Sequence, residues 1–268
     1  MEKHISYKGG KIYFTDSGKG RCLVFLHGFL GAKEIWDGVK IELEKKFRVI
    51  CIDLPGHGKS GNFGYFHSME LMADCVQGVL SSLRLRKAIL LGHSMGGYVA
   101  LAFAERFPDS LKGLGLINST SYSDSPEKKR DRTRAIELVK NTQRVYTRNT
   151  IKNLFSDLNV DSKKKEIEFA LQIALHTPQR GIVSALEGMK ERKDRSILLR
   201  HSSYPVWFVL GKKDNVLKQK DIEEQIGLTK TQNVLLLEKD GHMSFLENEK
   251  EFLSSLYSFI RSCYKRPL

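Results

Sequence analysis

The stretch Ala88-Ile89-Leu90-Leu91-Gly92-His93-Ser94-Met95-Gly96-Gly97-Tyr98-Val99-Ala100 decides the fold. Its four leading apolar residues read as a strand buried on both faces, the habit of a parallel sheet, and the residues after Gly96 read as a helix. Between strand and helix lies Gly-x-Ser-x-Gly. A sharp strand-to-helix turn holds such a serine in a strained backbone conformation, and Gly92 and Gly96 remove side chains that would collide across it. The turn also sets Ser94 at a helix N-terminus, whose partial positive charge favours an oxyanion. The five-residue string is common in glycine-rich chains; the strand before it and the helix after it give it weight.

Outward from this point, apolar runs at 22–26, 47–52, 88–91 and 114–117 alternate with helical segments, the signature of βαβ units and a mostly parallel sheet. Upstream, residues 4–7 and 11–14 predict an antiparallel hairpin with Gly9-Gly10 at its turn. From 121 to 200 the strands stop. Ser125-Pro126-Glu127 opens a helix with serine as N-cap and proline first inside, and Thr177-Pro178 predicts a second start of the same kind. Between them Ile167, Phe169, Ala170, Leu171, Ile173, Ala174 and Leu175 recur at helical spacing. Strands resume at 205–210 and 234–237, and a closing helix runs over 249–264. The division expected is a core of 1–120 and 201–268 with a helical insertion at 121–200. No internal repeat or low-complexity linker interrupts it.

Three further motifs carry chemistry. Val24-Phe25-Leu26-His27-Gly28-Phe29 is a strand running into His-Gly. Acyl transfer needs preorganised N–H groups for a developing oxyanion, and the candidates are the backbone N–H groups of Phe29 and Met95. Gly28 permits close approach, and His27 reads as a brace for the loop. Gly241-His242, after the last strand, supplies the base that a serine hydroxyl needs at neutral pH. Gly211-Lys212-Lys213-Asp214 follows the 205–210 strand and supplies a carboxylate to orient that base. Asp240 competes for this role, but it sits two residues from His242 on one short loop and seldom could such a neighbour reach the far imidazole nitrogen. Asn118, at the end of the strand before the insertion, cannot balance an imidazolium charge. Ser94, Asp214 and His242 are therefore the expected catalytic set, supported by His27, Gly28, Gly92, His93 and Gly96.

Taken together, these motifs resemble the α/β-hydrolase superfamily over nearly the whole chain, in the manner of a serine esterase-like member with a helical lid. Asp53-Leu54-Pro55-Gly56-His57-Gly58-Lys59-Ser60 matches a further signature of that family, with Asp53 and His57 as loop-shaping residues. The resemblance implies an α/β fold: an eight-stranded, mostly parallel sheet, helices on both faces, and residues 121–200 as a lid. It implies cleavage of a small-molecule ester or thioester through an acyl-enzyme on Ser94. Departures narrow this further. Haloalkane dehalogenases and epoxide hydrolases of the fold carry aspartate where Ser94 stands. Carbon–carbon bond hydrolases often have asparagine in place of His93, and a menaquinone-pathway lyase has arginine in place of Tyr98. Such a hydrolase or lyase remains the alternative chemistry, and a ligand receptor with an intact triad the alternative class.

Composition agrees with an ordinary globular protein. The chain has 268 residues, 41% hydrophobic and 28% charged, which excludes disordered and fibrous classes. No apolar run approaches the ~18–20 residues of a membrane span. Residues 1–5 lack the apolar core of a signal peptide, so the cytoplasm is the expected location. Cys22, Cys51, Cys75 and Cys263 are scattered and predict free thiols. The net charge of +13 is spread along the chain without a nucleic-acid motif, and nucleic acid is not an expected partner. Residues 121–200 hold 18 Lys and Arg against 11 Asp and Glu; a solvated surface is expected there rather than a field that steers anions. His57, His67, His93, His176 and His201 lie at no ligand spacing, so neither metal nor other cofactor is expected. Phe155, Phe169 and Leu171 read as packing within the insertion, and Trp36 and Trp207 as core. Nothing in the sequence addresses oligomeric state.

Overall fold

Strands whose every side chain is buried need cover on both faces, and five runs meet that condition or nearly so: β3 (Cys22–Leu26), β4 (Arg48–Ile52), β5 (Ala88–His93), β6 (Leu111–Ile117) and β7 (Val206–Gly211). With β1 (Glu2–Tyr7), β2 (Gly10–Ser17) and β8 (Gln232–Leu237) they form one eight-stranded sheet in the order β1-β2-β4-β3-β5-β6-β7-β8. The first two pairings, β1 with β2 and β2 with β4, are antiparallel and all others are parallel. The computed structural model describes residues 2–229 and 232–264. Met1, at the head of the stretch read for a leader, lies outside the described residues.

Right-handed crossovers decide where the helices go. The step from β3 to β4 moves one way along the sheet, carrying α1 (Asp37–Leu43). The step from β4 to β5 returns past β3, carrying α2 (Met69–Ser82), and every later step continues in that direction. Thus α1 lies on one face, while α2 and α3 (Met95–Arg106) pack together on the other. The order reverses between β3 and β5, and at such a switch point the carboxyl ends of the strands leave a crevice.

Between β6 and β7 the chain is helical: α4 (Pro126–Asn153), α5 (Lys164–Leu175), α6 (Gln179–Lys190) and α7 (Ser196–Arg200). Ser125 caps α4, accepting from the Lys128 N–H, with Pro126 first inside. Thr142 breaks the helical dihedrals partway along (φ −142°, ψ 47°). Of this region's basic residues, Arg132 and Arg192 both pair with the buried Asp124, and Arg195 pairs with Glu70 and Glu105. The remaining helices are α8 (Gln219–Gly227), α9 (Ser244–Glu247) and α10 (Glu249–Tyr264), the last of which packs on β6 and β8. Trp207 stacks on Phe259 of α10, and Trp36 packs on Phe245 of α9. All four cysteines are buried free thiols, and no helix among the described residues is long and apolar enough to cross a membrane.

Three local expectations need correction. The hairpin turn is Lys8-Gly9, both at positive φ (42° and 78°), while Gly10 already pairs with Tyr7. A two-residue turn with both central residues left-handed matches strand twist best, and it placed the lysine where glycine was expected. At Thr177-Pro178, the proline itself is the N-cap of α6, with extended dihedrals and no side-chain cap. Phe155 and Leu171 are buried as expected, but Phe169 is 38% exposed, at a groove between α5 and α1.

Candidate active site

Four strand ends deliver the expected residues to the crevice. Ser94, between β5 and α3, has φ 49° and ψ −115°. For a residue with a Cβ this conformation costs on the order of 1–3 kcal/mol, so the surroundings must over-determine it. They do so from both sides: the Ser94 N–H donates to Ile117 O at 2.9 Å, and Ser119 Oγ donates to Ser94 O at 2.8 Å. A Cβ at Gly92 would overlap the Gly96 carbonyl, and one at Gly96 would overlap the Leu26 carbonyl. Only glycine lets the turn close here.

His242 follows β8 and Asp214 follows β7. His242 Nε2 lies 2.8 Å from Ser94 Oγ, and its Nδ1 lies 2.7 Å from Asp214 Oδ2. A carboxylate only accepts, so Nδ1 carries the proton and the neutral ring leaves Nε2 to accept from the serine hydroxyl. Burial opposes ionisation of Asp214. The His242 ring, with donors from Val216 N–H and Asn118 Nδ2, outweighs it and holds the carboxyl below its usual range. The carboxylate needed to fix the tautomer is thereby kept.

The loop after β3 reaches the same place. A Cβ at Gly28 would stand 3.3 Å from Ser94 Cβ and 2.6 Å from His93 Nδ1, so the backbone of Gly28 and Phe29 lies against the turn. Met95 is the first residue of α3, where an N–H has no acceptor within its own helix. His27 holds this loop: its Nδ1 donates to Gly28 O at 2.8 Å and its Nε2 accepts from Leu54 N–H at 2.9 Å. Asp53 accepts from both the backbone and side chain of Lys33 and from Lys59 N–H, fixing the neighbouring 53–60 loop. His93 Nε2 donates to His242 O at 2.9 Å, tying the residue before the serine to the base. Among the described residues, no three His, Cys, Asp or Glu side chains converge as a metal-binding group.

Several residues here escaped the sequence reading. Asn118, at positive φ (43°), donates to Asp214 Oδ2 and Gly241 O and accepts from Ser244 Oγ. Its amide carries no charge to balance an imidazolium, yet it braces Asp214. Glu247 accepts Gly241 N–H at 2.8 Å through one oxygen, and Ser156 N–H and Asn159 Nδ2 through the other. The His242 N–H donates to Leu154 O at 2.7 Å. The base-bearing loop is thus bonded to residues 154–159. Asp240 accepts from Asn159 Nδ2 rather than meeting the imidazole, and burial pushes the carboxyls of Asp240 and Glu247 upward.

Four histidines are buried in neutral form. Burial pushes His27 and His67 down to about 4, and His57 and His93 to about 3, from 6.5. The unfolded chain then binds protons that the folded one cannot, so stability falls as pH drops below 6.5 towards those folded values. Each histidine withdraws about 2 kcal/mol between pH 7 and pH 5, a large total beside an ordinary stability of roughly 5–15 kcal/mol. Urea midpoints measured at pH 7, 6 and 5 are expected to fall steeply, and flat midpoints across that window would contradict the neutral burial.

Known proteins share this fold. The family model for the alpha/beta hydrolase fold matches residues 22–249. A thermophilic esterase from Thermogutta terrifontis superposes with a TM-score of 0.93 and 30% identity, over 99% of this chain and all of that one. A pimeloyl-[acyl-carrier protein] methyl ester esterase from Nitrosomonas europaea is 27% identical over 91% of this chain and 97% of its own length. Other relatives are longer: the chain spans 68% of the dihydrolipoyllysine-residue acetyltransferase component of the acetoin cleaving system of Pseudomonas putida, at 28% identity, and 31% of an uncharacterized Mycobacterium tuberculosis protein. With the family matched over most of its length and the sheet in place, this chain belongs to the α/β-hydrolase fold family.

Proposed function

We propose that the protein is a serine hydrolase that cleaves a carboxylic ester or thioester of a small molecule. The observation that carries this reading is the relay Ser94 Oγ, His242 Nε2, His242 Nδ1, Asp214 Oδ2, with separations of 2.8 and 2.7 Å, mounted on a strained serine. His242 takes the hydroxyl proton as Ser94 Oγ bonds to the substrate carbonyl carbon, and Asp214 stabilises the imidazolium. The N–H groups of Phe29 and Met95 receive the oxyanion. His242 then returns the proton to the departing alcohol or thiol, and water releases the acyl group by the same steps in reverse. In this reading residues 121–200 form a lid over a core of 1–120 and 201–268, and the bonds from Leu154, Ser156 and Asn159 to the His242 loop are its anchor. Four buried free thiols fit a reducing, cytoplasmic setting. The esterase names of the Thermogutta and Nitrosomonas relatives support an ester substrate.

A panel of p-nitrophenyl esters and acyl-thioesters tests the reading, run beside labelling by a fluorophosphonate. Turnover with label on Ser94 is the expected result. Stoichiometric retention of ligand without turnover would favour a receptor, and absence of both label and turnover would end the proposal.

A further inference from the structure

Close to the serine turn lies a small, half-open cavity. Its walls include Gly28 and Phe29 from the loop after β3, His93 next to the serine, and Met243 next to the base. Residues 151–170 close the opposite side, with Ile151, Leu154 and Ala170. The volume open to the centre of a water molecule is ≈ 10 Å³, which is about one water or one methyl group. These walls do not yield readily: Ile151, Ala170 and Met243 are 4% exposed or less, and Leu154 is held through its carbonyl by the His242 N–H. No fixed charge lines the space, since His93, its one titratable wall, is neutral at ordinary pH.

Leu30, Gly31 and Ile35 complete the walls, and Ile35 also borders a second space. This is an exposed groove of ≈ 330 Å³ between α1 and α5, lined by Val39, Phe169 and Leu246 together with the charged Lys165, Glu166 and Glu249. Ile35 belongs to both linings and is itself buried, in the turn at 33–36. The Ile35 side chain is thus shared between room for a methyl group and room for a longer chain.

Resting on the serine-hydrolase reading above, we infer that the cavity receives the acyl part of the substrate and that Ile35 sets its length, so that acetyl esters are preferred over longer or charged acyl groups. The acyl group is the part whose size a small cavity limits. It stays bonded to Ser94 Oγ after the alcohol has taken its proton from His242 and left, and it must be held through attack by water. A carboxylate-bearing acyl group would be buried there without a cation, which is unfavourable. A chain longer than acetyl would press on Ile35.

The test measures kcat/KM for p-nitrophenyl acetate, butyrate and hexanoate on wild type, Ile35→Val and Ile35→Ala, with melting temperatures and fluorophosphonate labelling of each. A misfit of one methylene in an apolar pocket changes kcat/KM by roughly 10–200-fold, so the wild type is expected to favour acetate over hexanoate by at least about tenfold. Ile35→Ala should raise the hexanoate-to-acetate ratio at least about tenfold, with Ile35→Val between. Equal rates for acetate and hexanoate in a wild type labelled at Ser94 would overturn the inference while leaving the hydrolase reading intact. So would a labelled Ile35→Ala or Ile35→Val with the wild-type ratio. A wild type that neither labels nor turns over would overturn both.

Discussion

Replacing Ser94 by alanine is expected to lower kcat on any accepted ester by ~10⁴-fold or more, because the nucleophile and its acyl-enzyme vanish together. His242 and Asp214 remain, but with the nucleophile gone they have no hydroxyl to activate, and members of such a set act as a unit. The strained backbone makes a companion variant informative. Alanine keeps a Cβ at φ 49°, so Ser94→Ala should melt close to wild type. Ser94→Gly removes that Cβ and should be equally inactive yet more stable, by about 1–3 kcal/mol if the strain has its usual size. Esterase rates on purified Ser94→Ala, corrected for contaminating activity with an inactivated control, check the first part. Ordinary turnover in that variant would overturn the assignment. Thermal melts of the pair check the second, and identical melting temperatures would mean that the conformation stores no strain.

How much of this was legible beforehand follows from the range of each interaction. The sheet was legible because strands buried on both faces write themselves as unbroken apolar runs, and β3, β4, β5 and β7 all do so. The meeting of Ser94, His242 and Asp214 was legible because each follows a strand end and the chain order restricts the choice. Single-residue turn chemistry was not: Lys8 accepts positive φ against its own preference because the hairpin twist favours it. Phe169 was assigned to packing on periodicity, but periodicity gives a face and not what covers it. Asn118 was judged by the one role it could not fill, that of a charge. Its function depends on Asp214, Gly241 and Ser244, all more than 90 residues away, and no local pattern announces that convergence. Glu247 lies five residues after His242, and that spacing was the only signal it offered. Its bonds to residues 156 and 159 are tertiary and appear only when the helices between β6 and β7 are placed.

The choice between Asp214 and Asp240 gives the other large expected effect. Asp214→Asn should lower kcat by ~10³–10⁴-fold with the fold intact. The reason is tautomeric. Asp214 Oδ2 accepts the Nδ1 proton at 2.7 Å, whereas an asparagine whose other bonds to Val216 N–H and Leu217 N–H hold its oxygen would turn an NH₂ towards Nδ1. The imidazole would then carry its proton on Nε2, facing Ser94 Oγ, where it cannot accept the hydroxyl proton. Asn118 Nδ2 would lose one of its two acceptors as well, since it bonds the same oxygen at 3.1 Å and keeps only Gly241 O. Asp240 stands elsewhere. Its side chain accepts a bond from Asn159 through Oδ1, and the amide oxygen of an asparagine can accept the same bond. Its backbone carbonyl, which accepts from Lys213 N–H, is untouched by the substitution. Asp240→Asn should therefore cost less than about tenfold. Rates for both variants, compared at matched circular dichroism and melting temperature, decide the matter: a larger loss in Asp240→Asn than in Asp214→Asn would mean that the short contact between Asp214 and His242 does not serve the reaction.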